Sequence, residues 1–294
     1  DWFSELEGSL MLNMNTHSKQ HADSNYLVVG LGLTGYSVAR YLMARGYRCR
    51  VQDTRDIPPY HQPLRTEFST AEIVKQPLNA QLISWADVLV VSPGVSVSQP
   101  EIMQAVDLGK QVIGDIELFA QAVPSKPVVA ITGSNGKSTV TTLAGDILAA
   151  AGYKPAVCGN IGLPVLDVLL NDQDYDCYVV ELSSFQLETT HNLAADVACV
   201  LNISEDHMDR YESMAHYQQT KQRIYYDCKT AVFNREDLLT QPLVPPATKQ
   251  ISFGLNKPDL NQYGLQTFED EPWLMKGFEK ILPISELSLP GLHS

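Results

Sequence analysis

Short apolar runs, each closed by glycine or a polar residue and followed by a mixed stretch of helical length, recur along this chain. Tyr26-Leu27-Val28-Val29 stops at Gly30, residues 35–45 carry a helix-like pattern, and Cys49-Arg50-Val51-Gln52 ends at Asp53. Strand, helix and strand in that order read as a β-α-β unit with a parallel sheet. Residues 85–91 predict another buried strand closed by Ser92-Pro93-Gly94, and Gln111-Val112-Ile113-Gly114 a further one. A helix over 115–122 then runs toward Pro124 and Pro127, which mark a boundary.

The pattern restarts beyond that boundary. Residues 127–132 form an apolar run that meets a glycine-rich loop, and a helix follows over 137–151. Later strands are expected at 177–180, 197–203 and 230–233, a helix near 215–226, and a β-rich stretch over 250–284. The fold class is α/β: a Rossmann-like parallel-sheet domain over 25–114, then a P-loop-type ATP-binding α/β domain over 115–294. Residues 1–24 are polar and aperiodic and read as a disordered or non-native tail, with Met11 and Met14 as candidate starts. The chain stops at Gly291-Leu292-His293-Ser294 without a closing element, so a fragment is expected.

Composition narrows the classes. The 294 residues are 44% hydrophobic and 19% charged, as in an ordinary folded protein, and the formal charge is -13. A charge of that sign works against nucleic-acid binding, which rests on clustered Lys and Arg. No apolar run approaches the roughly 18–20 residues of a membrane span, so a cytoplasmic protein without membrane insertion is expected. The five cysteines are scattered, with no C-x-x-C pair, and indicate neither a zinc cluster nor a disulfide framework.

Two glycine-rich loops carry the chemistry. In Gly30-Leu31-Gly32-Leu33-Thr34-Gly35 the glycines permit a tight turn and close approach of backbone to phosphate at a helix N-terminus. Asp53 ends the next strand, where such folds place an acidic ribose-binding residue, although an acid there is as often a turn or cap residue. Taken alone the fingerprint suggests NAD or FAD. The second loop, Thr132-Gly133-Ser134-Asn135-Gly136-Lys137-Ser138-Thr139, lies at a strand-to-helix junction. Its N–H groups can cradle phosphates while Lys137 reaches terminal oxygens and Ser138 meets Mg²⁺; Ile131 replaces the first glycine of the strict motif, so this is a variant P-loop. Glu181 ends an apolar strand and is either a metal partner or a solvated strand end. Asn202, Glu205, Asp206, His207 and Asp209 cluster after the next strand; His207 alone is more often structural than a ligand, and Lys221, on an apparently amphipathic helix, is by default a surface lysine.

Four ordered blocks resemble the Mur ligase family: residues 131–139, Gly159-Asn160-Ile161-Gly162, residues 181–188 and residues 205–211. The last three, with residues 30–35 and Asp53-Thr54-Arg55, resemble the member that adds D-glutamate to UDP-N-acetylmuramoyl-L-alanine. The resemblance implies an ATP-dependent amide ligase of cell-wall synthesis, acting through an acyl phosphate, with Mg²⁺ and as a monomer. It implies that Gly32, Leu33, Thr34, Asp53, Thr54 and Arg55 hold the UDP part of the substrate and that Asn160 also contacts it, which displaces the dinucleotide reading. It implies that Gly133, Ser134, Asn135, Gly136, Lys137, Ser138 and Thr139 bind ATP. Lys137, His207 and Lys221 take the catalytic roles, and Ser138, Glu181, His207 and a carbamoylated Lys221 ligate metal. The family's C-terminal domain has no counterpart here, so weak ligation or none is expected of this chain. A sister Mur or folylpolyglutamate-type ligase, an NAD-dependent oxidoreductase and a non-catalytic nucleotide-sugar binder are the alternatives.

Overall fold

A computed structural model describes residues 23–123, 125–171 and 173–287. The expected tail therefore falls outside the described residues up to residue 22, as does the bare end at 291–294. The chain divides into two compact units between Asp115 and Ile116.

In the first unit five parallel strands, β1 (Asn25–Val29), β2 (Arg48–Asp53), β3 (Glu72–Lys75), β4 (Val88–Val91) and β5 (Gln111–Ile113), lie in the order β3-β2-β1-β4-β5. Central β1 pairs Tyr26 with both Cys49 and Val88. Helices α1 (Leu33–Ala44), α2 (His61–Glu67), α3 (Ala80–Trp85) and α4 (Pro100–Asp107) connect the strands. Leu27, Val29, Leu89 and Val91 share a buried cluster with Leu82, Ile83, Ile102 and Ala105 from α3 and α4. Each large side chain so buried contributes about 1.5–3 kcal/mol. The order reverses direction between β1 and β4, and such a reversal opens a crevice at the carboxyl ends of the strands.

The second unit holds a nine-stranded sheet in the order β14-β13-β12-β11-β10-β9-β6-β8-β7. Its strands are β6 (Val128–Thr132), β7 (Pro155–Gly159), β8 (Cys177–Glu181), β9 (Val197–Val200), β10 (Thr230–Asn234), β11 (Lys249–Phe253), β12 (Gln262–Phe268), β13 (Glu271–Lys276) and β14 (Glu279–Pro283). Pairing is parallel from β7 across to β12 and antiparallel through the closing β12-β13-β14 meander. Helix α5 (Asp115–Ala122) begins at the division between units, and α6 (Lys137–Ala150), α7 (Val165–Leu170), α8 (Ser184–Leu187) and α9 (Met214–Gln222) follow. Ile131, Val179, Cys199 and Leu201 form a core against Val140, Ala144 and Leu148 of α6. This packing fixes α6 over the sheet with its first turn at the end of β6.

Three expectations need correction. The strand expected over 85–91 begins only at Val88, because Asn79 caps α3 through its side chain and Trp85 ends that helix. The strand expected over 197–203 stops at Val200; Asn202 directs its hydrogen bonds to the glycine-rich loop instead. The helix expected to reach 226 is α9 followed by a 3-10 turn, Arg223–Tyr225.

Candidate functional site

The first unit carries a cavity of about 550 Å³ at the carboxyl ends of β1, β2 and β4. Gly32, Leu33, Thr34, Asp53, Thr54 and Arg55 all line it, together with Ser92, Pro93, Gly94, Gln99 and Glu101. The glycine loop is shaped by contact: a Cβ on Gly35 would sit 1.8 Å from the Gly30 carbonyl oxygen, so only glycine lets α1 start this close to β1. Ser92 closes the same turn from β4, its hydroxyl donating to Gly30 O at 3.0 Å.

Asp53 is buried, and four N–H groups converge on its carboxylate. Leu31 N donates to Oδ2 at 2.7 Å, while Arg55 donates from its backbone N and Nε to Oδ1 (2.9 and 2.8 Å) and from Nη2 to Oδ2 (2.6 Å). The bonds from the Arg55 side chain, helped by the two backbone N–H groups and opposed by burial, hold this carboxyl down at about 2. A carboxylate offers about four lone-pair sites, so a dinucleotide ribose would find Asp53 already saturated. The acid instead fastens the glycine turn and sets the guanidinium of half-exposed Arg55 in the cavity wall.

The second unit carries the other loop. Gly136, in a left-handed conformation at φ 76°, precedes α6, and no side chain caps that helix start. Lys137 Nζ folds back onto Gly133 O at 3.0 Å and Ser134 O at 3.1 Å. Ser138 and Thr139 are exposed on the first turn of α6. An uncapped helix start flanked by a lysine is a ready-made anion site.

Lys221 is not a surface residue, contrary to the default reading of its helix: it is 1% exposed. Its Nζ donates to Gly133 O at 2.9 Å and lies 3.4 Å from Thr132 Oγ1, both neutral oxygens, so two lysines converge on one carbonyl. Burial, reinforced by the nearby Lys137 charge and opposed by Asp206, pulls its amine down to about 7.

Glu181 ends β8 beside Ile131 of β6 and is 1% exposed, which excludes the solvated strand end. Its Oε1 accepts from Asn160 Nδ2 at 2.8 Å, whereas Oε2 is buried without a hydrogen-bond partner. An unsatisfied buried carboxylate oxygen fits a hard cation. Asn160 thus belongs to this cluster in the second unit and does not join the six residues of the cavity. His207 is half-exposed in a left-handed conformation (φ 55°), 3.4 Å from Asp206 Oδ2, with its ring 4.8 Å from that of Phe185. Among the described residues no three His, Cys, Asp or Glu side chains gather as a metal site. A cation at Glu181 would therefore need oxygen ligands beyond these side chains, which Mg²⁺ commonly takes in part from water.

Sequence reasoning passed over Gln99 and Glu101, which enter the cavity from the start of α4. The turn at Ser92-Pro93-Gly94 was visible, and its place at the carboxyl end of a strand was the available signal. No helix among the described residues is long and apolar enough to cross a membrane.

Comparison with known proteins agrees with this geometry. Residues 24–114 match the Mur ligase MurD-like N-terminal domain and residues 131–294 the Mur ligase middle domain. The UDP-N-acetylmuramoylalanine--D-glutamate ligase of Pseudomonas aeruginosa is 47% identical over 93% of this chain and 60% of its own length. The ligase of the same name from Methylobacillus flagellatus is 48% identical over 94% and 61%. The chain thus spans about three fifths of the length of the relatives it matches. Among solved structures, a UDP-N-acetylmuramate:L-alanyl-gamma-D-glutamyl-meso-diaminopimelate ligase from Neisseria meningitides superposes with a TM-score of 0.55 at 18% identity, covering 88% of this chain and 86% of that one. A murein peptide ligase from Psychrobacter arcticus gives 0.52 at 16%, over 87% and 59%. These two likenesses are of fold. With both domain matches in chain order, a cavity under the first and a glycine-rich loop under the second, this chain belongs to the Mur ligase family.

Proposed function

We propose that this chain supplies the nucleotide-sugar and ATP sites of an ATP-dependent ligase that adds D-glutamate to UDP-N-acetylmuramoyl-L-alanine in peptidoglycan-precursor synthesis. What carries the reading is that one unit holds both an uncapped helix start beginning at Lys137 and a buried carboxylate, Glu181, whose Oε2 has no partner. A dehydrogenase needs neither, and the saturation of Asp53 removes the ribose acceptor a dinucleotide would use.

The roles follow from position. The cavity wall of Gly32, Leu33, Thr34, Thr54 and Arg55 binds the UDP moiety, Asp53 acting by holding Arg55 and the glycine turn in place, with phosphate oxygens on the N–H groups at the start of α1. The second loop, residues 133–139, holds the ATP phosphates. On binding, Lys137 Nζ exchanges two carbonyl partners for phosphate oxygens and offsets charge that develops on the transferring group. The alanyl carboxylate attacks the terminal phosphorus and ADP leaves; the amine of D-glutamate then displaces phosphate from the acyl phosphate to form the amide. Mg²⁺, when bound, neutralises phosphate charge. Glu181 and Ser138 would hold it, and Asn160, by occupying Glu181 Oε1, leaves Oε2 available to it. His207 and Lys221 are assigned to a second ion, Lys221 as a carbamate; its burial among neutral oxygens favours an uncharged amine that can add to CO₂.

A double dissociation tests the reading. Lys137→Ala should abolish Mg·ATP binding by calorimetry and leave UDP-N-acetylmuramoyl-L-alanine binding intact, and Arg55→Ala should do the reverse. Unchanged Mg·ATP affinity in Lys137→Ala would refute the assignment.

A further inference from the structure

We infer that Asn202 is a template for the second glycine-rich loop, a positioning residue that holds the loop in its phosphate-binding shape before nucleotide arrives; this rests on the ATP reading above. Asn202 touches the loop at three points. Asn135 N donates to Asn202 Oδ1 at 2.8 Å, Asn202 Nδ2 donates to Asn135 O at 3.0 Å, and Ser134 N donates to Asn202 O at 3.0 Å. The side-chain amide therefore pairs with both the N–H and the C=O of Asn135 as a residue of a neighbouring strand would. Its orientation is fixed, since a donor faces the oxygen and a carbonyl faces the nitrogen.

A template must itself be held, and this one is anchored from behind. Leu201 N donates to Thr132 O at 2.9 Å, Ile203 N donates to Asp237 Oδ2 at 2.8 Å, and Asn234 Nδ2 reaches Leu201 O at 3.4 Å. Ser204 adds further ties between the segments: its N donates to Ser134 Oγ at 3.0 Å, Ser134 Oγ faces Ser204 O at 3.0 Å, and Asn135 Nδ2 reaches Ser204 Oγ at 3.4 Å. Residues 201–204 thus form a rigid rail between the start of the loop and the turn after β10. The rail explains why β9 ends at Val200 although apolar Leu201 and Ile203 continue its pattern.

The consequence is preorganisation. The N–H groups of Ser134 and Asn135 are taken by Asn202 and are not offered to phosphate, whereas those in the first turn of α6 have no partner within the helix. A loop already set in that form loses less freedom on binding, and the saving appears as affinity. Gly133 fits the same scheme, because a Cβ there would meet Leu201 Cβ at 3.0 Å and push the rail away from the loop.

The test is Asn202→Ala in the 294-residue chain, which removes both side-chain bonds and leaves the carbonyl bond to Ser134 N. Calorimetry should show Mg·ATP affinity at least tenfold weaker and UDP-N-acetylmuramoyl-L-alanine affinity within twofold of wild type. Hydrogen exchange without ligand should speed up at the Asn135 amide and not in β8 or β10. A general structural defect would not produce that localised pattern. Wild-type Mg·ATP affinity in Asn202→Ala overturns the inference while sparing the ATP reading; a wild-type chain that does not bind Mg·ATP overturns both. If Asn202→Ala fails to fold, Asn202→Asp serves: it sets an oxygen against Asn135 O, so the same tenfold loss is expected and wild-type affinity again refutes the inference.

Discussion

Replacing Asp53 with asparagine separates charge from shape at the first glycine loop. The carboxyl is held at about 2 in the fold, against roughly 3.9 in an unfolded chain, and at 1.36 kcal/mol per unit its ionised form contributes about 2.5 kcal/mol at neutral pH. Asparagine loses that charge. It also turns an NH₂ toward N–H groups that now donate to an oxygen, leaving either Leu31 N and Arg55 Nη2 or Arg55 N and Nε unsatisfied, at a further cost of about 1 kcal/mol or more. The expected loss at pH 7 is therefore about 3.5 kcal/mol or more in the first unit. Because the folded value lies below the unfolded one, the wild-type advantage is complete above about pH 4 and is lost as pH falls through about 4 to 2. Near pH 3 roughly half of the charge contribution remains, so the gap between wild type and Asp53→Asn should narrow by about 1 kcal/mol. Hydrogen exchange in a urea series, followed on β1 and β2, reads the first unit without assuming that both units unfold together. A loss under 1 kcal/mol at pH 7, or an equal loss at pH 3, would refute the reasoning.

Other substitutions probe the scaffold. Gly35→Ala should prevent native packing of α1, since its Cβ would lie 1.8 Å from Gly30 O; loss of UDP-N-acetylmuramoyl-L-alanine binding with Mg·ATP binding retained would locate the damage. Glu117, 1% exposed, accepts from His191 N, Asn192 N and Asn192 Nδ2, and these bonds outweigh burial to keep its carboxyl below the usual range. Glu117→Gln should cost the second unit about 2 kcal/mol by leaving a buried donor unmatched, measured by urea unfolding, and wild-type stability would show the carboxylate to be replaceable.

Much of the scaffold was legible from pattern. β1 and β6 are apolar runs closed by a glycine-rich loop, β2 is a mixed strand that ends on an acid, and glycine marks both sites. The short helices α2 and α3 were not, since six or seven residues give too few turns for a periodic signal. β7 opens on Pro155 at a sheet edge, where strand signals are weak. At the sites, the sequence placed Asp53 and Lys221 on the right elements but left their environments open. Saturation of Asp53 depends on Arg55 folding back, and burial of Lys221 on the orientation of α9 against β6. The unpartnered Glu181 Oε2 likewise follows from Asn160 arriving from a separate strand end.

The central claim is that the first cavity takes a uridine diphosphate sugar and not a dinucleotide. Thermal unfolding of this chain with UDP-N-acetylmuramoyl-L-alanine or NAD, each at 100 times the dissociation constant expected of its site, tests it most directly, since a bound ligand at that level adds about 2.7 kcal/mol. A raised Tm with the UDP compound and none with NAD is the expected result; a shift with NAD alone would contradict the account and return the loop to a dehydrogenase.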